Sequence, residues 1–421
     1  MINTLKKDTF LRHYAIFFSG SMVVAVLNYF FYPILSRILL PADFGDVQVY
    51  LSLITQAGIL FGAFTIVAAN ITANSENQYE RNTILTELKR ICFWIVCVAS
   101  IFLLFGAPYL RGFLNLSSIY PLLGLILALF LSTNATFRNA FLQGNSNFFE
   151  LSLSGFVSSA GRIVFAVLLV WLGMTSSGAI AGILLAQGAV LYYLFMRTRN
   201  QLDLNSRANI HVLEGGTIKK ELLYGLLIIF ATGLVTFIHT SDILIIKHLF
   251  DANDAGIYSG ISAIAKIIFF LLSPIVAVLF SSIKIKNTQK ENFHIMIKSL
   301  VISLCLGGVT LLIFYYFSDT TVKVLLGENY RGSAYLLPKV GLIMLLCSLV
   351  NIFVYYFLAL RRFFLIGLSV LGVLSVVGLL FLRNDSIDAV LNSLLISSGI
   401  LLALLVVFYV KDHFNRHTSL Q

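Results

Sequence analysis

The chain has 421 residues and a net charge of +10, yet only 11% of its residues are charged and 58% are hydrophobic. Soluble domains carry roughly 25% charged residues; at a mean hydropathy of +0.91 there is too little polar surface to cover a globule in water, which excludes a soluble enzyme. Apolar runs of twenty or more residues recur along the chain, whereas the strands of a transmembrane barrel are short and alternating, so the fold class is an all-α polytopic membrane protein.

Windows of about 20 apolar residues bounded by charge predict helices at 14–39, 47–71, 91–110, 119–142, 151–173 and 177–196. Six more follow at 221–249, 255–283, 297–318, 333–360, 363–382 and 389–410. The basic segment Met1 to Arg12 leads into a first run too long for a signal-peptide core, and it reads as a retained helix. The polar stretch 197–220 divides the chain into an N-terminal six-helix bundle (1–196), a linker, and a C-terminal bundle with a short tail (221–421). Cys92, Cys97, Cys305 and Cys347 all fall in apolar runs without metal-ligand spacing and are expected to be packing residues.

Twelve spans put both termini on one side, and lysine and arginine say which. Twenty of the 29 basic residues lie in the termini, the even-numbered connections and the adjoining helix ends, six on the opposite side, and Arg162, Lys266 and Lys339 within spans. Cytoplasmic segments retain positive charge, so both termini are expected in the cytoplasm, as for a multi-pass protein of a bacterial inner membrane. The basic excess is thereby explained without nucleic acid as a partner. No nucleotide-binding motif or glycine-rich phosphate loop is visible as a means of using ATP.

The end of the first helix, Arg37-Ile-Leu-Leu-Pro41-Ala-Asp43-Phe-Gly45, matches the end of the seventh, Lys247-His-Leu-Phe-Asp251-Ala-Asn-Asp254-Ala-Gly256, if one residue is inserted. Six spans per half make this a parallel internal repeat, a plan in which transporters handle substrate between the halves. Asp43 and Asp254 then fall just before a helix, where a cap is expected.

These segments also carry a resemblance. Tyr32-Pro-Ile-Leu-Ser-Arg37, Leu40-Pro-Ala-Asp-Phe-Gly45, Asp242-Ile-Leu-Ile-Ile-Lys247 and Ala255-Gly-Ile-Tyr258 resemble signature regions of the O-antigen type polysaccharide-unit flippases. Those belong to the multidrug, oligosaccharidyl-lipid and polysaccharide (MOP) exporter superfamily. The resemblance implies a MATE-like fold of two six-helix bundles flanking a cavity. It further implies alternating access that carries an undecaprenyl-pyrophosphate-linked oligosaccharide from the cytoplasmic to the periplasmic leaflet, with a polysaccharide polymerase and a chain-length regulator as candidate partners.

Charge at membrane depth costs at least ~2.5 kcal/mol on insertion scales, so such residues face a cavity or a partner. Arg37, Arg162, Lys266 and Lys339 are the candidate cationic cavity residues, suited to a pyrophosphate head because arginine grips phosphate with two hydrogen bonds and lysine acts as a point charge. Gln56, Asn134, Asn139 and Gln187 are candidates to meet the sugars. The alternative for Arg37, Lys247 and Lys339, near span ends, is snorkelling to the interface. Asp242, the one carboxylate well inside a predicted span, follows His239 by three residues on one helix face. The two could couple transport to an ion, or Asp242 could simply neutralise Lys247 or Lys266. No cofactor is implied beyond that coupling ion, and the sequence does not choose between proton and sodium.

Two other functions compete. A membrane glycosyltransferase could use Asp43 and Asp46 in the first periplasmic loop, but it would need larger loops and gives no reason for the repeat. A multidrug exporter of the same superfamily would favour acidic and aromatic cavity residues, against the cationic excess here.

Overall fold

The computed structural model describes residues 20, 22–75, 77–204, 216–283, 288–360, 362 and 385–418, with scattered positions between 367 and 379. The helices are α1 (Met22–Ile38), α2 (Pro41–Asn74), α3 (Gln78–Phe113), α4 (Tyr120–Gly144), α5 (Phe148–Trp171) and α6 (Ser176–Thr198), then α7 (Gly216–Leu249), α8 (Ala252–Ala265), α9 (Ile267–Ser282), α10 (Gln289–Tyr316), the short α11 (Ser318–Leu326), α12 (Leu337–Ala359) and α13 (Ile387–Thr418). Ten spans among the described residues are long and apolar enough to cross a membrane, with α8 and α9 forming one of them. The described part of the first span, α1, is shorter, and the span expected at 363–382 lies largely outside the described residues. The chain divides into two compact units, Met1–Leu226 and Leu227–Gln421.

In the first unit α4 packs against α2, α3 and α6, and α5 lies along α6. Apolar burial cannot drive helix association in lipid, so close backbone approach has to. Gly178, Gly182 and Ala186 recur at four-residue spacing on α6, and a Cβ on Gly182 would stand 2.3 Å from the backbone nitrogen of Ala166 on α5. In the second unit α12 is buried around most of its circumference by α8, α9, α10 and α13, whereas α10 is largely exposed along its length. Cys92 and Cys347 are packing residues as expected, but Cys305 on α10 is exposed.

The predicted span 255–283 is interrupted at Lys266, which ends α8 and precedes α9. Further along, Pro274 has no N–H for the carbonyl one turn back. The Ser273 hydroxyl donates to that carbonyl, Phe270 O, at 2.9 Å, the kind of side-chain rescue that lets proline sit in a membrane helix.

The repeat is present with a different register. Residues 39–40 join α1 to α2 and residues 250–251 join α7 to α8, and the residues preceding α2 and α8 share an extended backbone: Leu40 at φ −67°, ψ 152° and Asp251 at φ −62°, ψ 163°. Counted from these connectors, residues 28–45 align with 239–256 with no insertion. Exposed Arg37 corresponds to exposed His248, and buried Lys247 to buried Ser36. The capping expectation is corrected too. Asp251 is the cap of α8, accepting from the N–H groups of Asn253 and Asp254, while Asp43 and Asp254 lie in the first turn of their helices, where a carboxylate still meets the positive end of the helix dipole.

Candidate functional site

The structure brings three of the predicted residues together in the second unit. Asp242 on α7 is 1% exposed. Its Oδ2 accepts hydrogen bonds from Tyr258 Oη at 3.0 Å and Ser262 Oγ at 2.5 Å, both on α8. Lys266 Nζ, at the α8–α9 junction, stands 3.5 Å from Oδ1. That separation makes the lysine a Coulombic partner rather than a close hydrogen-bond donor. Oδ1 has no hydrogen-bond partner of its own. One oxygen is thus held by two hydroxyls and the other faces a cation. His239, one turn earlier on α7, stacks on Phe269 with ring centroids 4.2 Å apart and places Nδ1 3.0 Å from Val235 O.

Arg162 occupies a different site, in the first unit. Its guanidinium donates to Asn28 O at 3.2 Å and Asn28 Oδ1 at 3.0 Å, and lies 4.1 Å from the centroid of the Phe31 ring. Ser159 Oγ stands 3.0 Å from the same Asn28 Oδ1. Among the described residues no carboxylate forms an ion pair with Arg162, and its Nε, shielded from solvent, has no partner. In the corrected register Asn28 and Phe31 align with His239 and Asp242. The equivalent positions of the first helix in each unit therefore contact a cation, Arg162 from α5 in one unit and Lys266 in the other; the carboxylate is present in the second alone.

The remaining candidates stand apart. Lys339 Nζ is 2.5 Å from Asp388 Oδ1, tying the start of α12 to the start of α13. Arg37 is exposed at the end of α1. Lys247 is fully buried, so it does not snorkel. Asn139 accepts from Ser154 Oγ at 3.3 Å and lines a pocket of about 210 Å³ with Ser132 and Thr136; Asn134 lines a second pocket on a different face of α4. Asp46, expected in a loop, lies inside α2 with no exposed surface and accepts from both the N–H and the hydroxyl of Ser117. That placement removes it as a loop-borne base. Among the described residues no group of three His, Cys, Asp or Glu side chains converges as a metal site.

A family model described as polysaccharide biosynthesis protein matches residues 10–283. The chain belongs to that family. A Shigella flexneri protein named "Putative O-antigen transporter" is 22% identical over 321 residues, covering 73% of this chain and 75% of its own. Among solved structures, an inward-facing multidrug resistance MATE family transporter of the MOP superfamily aligns at TM-score 0.75 and 11% identity, over 93% of this chain and 94% of its own. The lipid II flippase MurJ in an inward closed conformation aligns at TM-score 0.66 and 14% identity, over 94% and 87%. The chain thus has a MATE-like fold, in a multi-pass membrane protein.

Proposed function

We propose that the protein is a transporter, not an enzyme, and that it flips an undecaprenyl-pyrophosphate-linked oligosaccharide unit of a surface polysaccharide from the cytoplasmic to the periplasmic leaflet of a bacterial inner membrane. The observation that carries this reading is membership of the polysaccharide biosynthesis family, matched over residues 10–283, on a transporter-like fold matched over 93% of the chain. The relative named for O-antigen transport supports the substrate class. Arg162 supports the sign of the headgroup, because a cation held by neutral groups in a low-dielectric setting attracts an anion more strongly than one already paired. Its Asn28 and Phe31 contacts hold it in place.

In the second unit Asp242 is the candidate coupling residue. A proton on Oδ1 would remove the attraction for Lys266, while both hydroxyl bonds to Oδ2 persist. One protonation event would thus release one contact between α7 and the α8–α9 junction, the local change a coupled transporter needs. His239, its neighbour on α7, is the second candidate.

Deletion in the native host, followed by extraction of polyprenyl-linked intermediates and assignment of their membrane face, tests the function. Complete units held on the cytoplasmic face are the expected result. Units missing one sugar would identify a glycosyltransferase instead.

A further inference from the structure

A second basic feature of the first unit lies away from Arg162. Between α3, α4 and α6 is a pocket of about 460 Å³ lined by Lys89, Asn134, Arg138, Gly188, Tyr192 and Phe195, among others. Its volume falls within the usual range for small-ligand sites. Asn134 and Arg138 are one turn apart on α4, and Gly188, Tyr192 and Phe195 share a face of α6, so two regular helix faces present the polar groups.

Arg138 is 8% exposed. It is oriented by a hydrogen bond to Thr198 Oγ1 at 2.5 Å and by the Phe195 ring, 4.9 Å from its Cζ. Its Nε, shielded from solvent, has no hydrogen-bond partner. Lys89 lies close enough to Arg138 to interact with it unfavourably, and Asp203 offsets part of that charge. Two cations beside one another, one nearly buried and carrying an open donor, form an arrangement that an anion completes. The pocket sits at the end of the bundle that also carries Arg81, Arg90, Arg197 and Arg199, the cytoplasmic end in the orientation read from charge. Basic pockets between membrane helices on that side suit anionic lipid headgroups.

We infer that the pocket formed by Lys89, Asn134 and Arg138 between α3, α4 and α6 binds the phosphate of a lipid headgroup in the cytoplasmic leaflet. Lys89 and Arg138 supply charge-assisted hydrogen bonds, Asn134 an amide, and Tyr192 and Phe195 an aromatic wall for the glycerol or prenyl portion. The inference uses the proposed orientation but does not require that the protein flip anything.

The test is native mass spectrometry of the full chain with phosphatidylglycerol or phosphatidylcholine added, and with undecaprenyl pyrophosphate as competitor. Phosphatidylglycerol should be retained preferentially. Lys89→Gln should weaken its retention about tenfold, the effect of one hydrogen bond to a charged group. Gly188→Leu should do the same without changing charge, because a Cβ there enters open space and the larger side chain fills the pocket. Displacement by undecaprenyl pyrophosphate would identify the pocket as a station for a pyrophosphate head, and persistence of phosphatidylglycerol would identify a resident phospholipid; either supports the site. Equal retention of the two phospholipids, or retention unchanged in both variants, would overturn it. Because the readout is binding, the site can fail while flipping stands, and the reverse.

Discussion

Replacing Lys266 by methionine removes the cation 3.5 Å from a carboxylate that is 1% exposed. At that separation and an effective dielectric constant of about 20 the attraction is roughly 5 kcal/mol. The two hydroxyls on Oδ2 still serve Asp242, so the expected loss lies nearer 3 kcal/mol, the lower end for breaking a buried pair from one side. Lys266→Met should therefore lower the apparent Tm of the purified protein by several degrees. The double variant Asp242→Asn, Lys266→Met leaves no charge to compensate and keeps an oxygen for Tyr258 and Ser262. Its stability should return to within about 1 kcal/mol of the parent, and its Tm with it, since neutral replacement of a buried pair is often close to neutral. The two roles of Asp242 separate in transport. If Asp242 couples flipping to an ion, the double variant is stable but no longer responds to an imposed ion gradient. A double variant that flips with parental gradient dependence would refute coupling and leave Asp242 as the neutraliser of Lys266. A single variant with unchanged Tm would refute the pair itself.

Other outcomes follow from single sites. Gly182→Leu should abolish the close approach of α5 and α6, since even a Cβ would meet the Ala166 backbone at 2.3 Å, and the protein should fail to accumulate at parental levels in membranes; normal accumulation would mean that the helices can separate at small cost. Arg162→Lys keeps the charge but loses the planar guanidinium that lies over Phe31 while its Nη2 donates to both Asn28 oxygens. We expect parental abundance with surface polysaccharide reduced, more so in Arg162→Ala, and unaltered polysaccharide in both variants would remove Arg162 from the substrate path.

The spans themselves were legible because the bilayer imposes a length on every apolar run, but their limits were less so: α2 starts at Pro41 and α3 at Gln78, ahead of the predicted 47 and 91, because a helix continues past the apolar window into polar sequence. Lys266 and Asp242 were legible for the related reason that charge within such a run is rare. Their pairing was named as one of two alternatives, but the hydroxyls of Tyr258 and Ser262 that hold Oδ2 were not. Register was harder. Matching Arg37 to Lys247 by charge required an inserted residue, whereas the two connectors are equally long and put exposed Arg37 opposite exposed His248. Side-chain sign misled there because burial, not charge, is what the repeat preserves. The partner of Arg162 was illegible, since Asn28 lies 134 positions away and an asparagine in a predicted span carries no marker of what it will meet. Asp46 reads as a loop residue until α2 is seen to begin at Pro41, because proline at a first helical position starts a helix as readily as it ends one.

The central claim is movement of a pyrophosphate-linked oligosaccharide across a bilayer. The most direct measurement uses purified protein in sealed proteoliposomes loaded with a short-chain polyprenyl-pyrophosphate oligosaccharide, reading the fraction of sugar accessible to an external lectin with and without an ion gradient. Accessibility should equilibrate between leaflets in a protein-dependent manner, and more slowly with Arg162→Ala. Accessibility that remains at the protein-free rate, with folded protein inserted and a gradient of either proton or sodium imposed, would contradict the account.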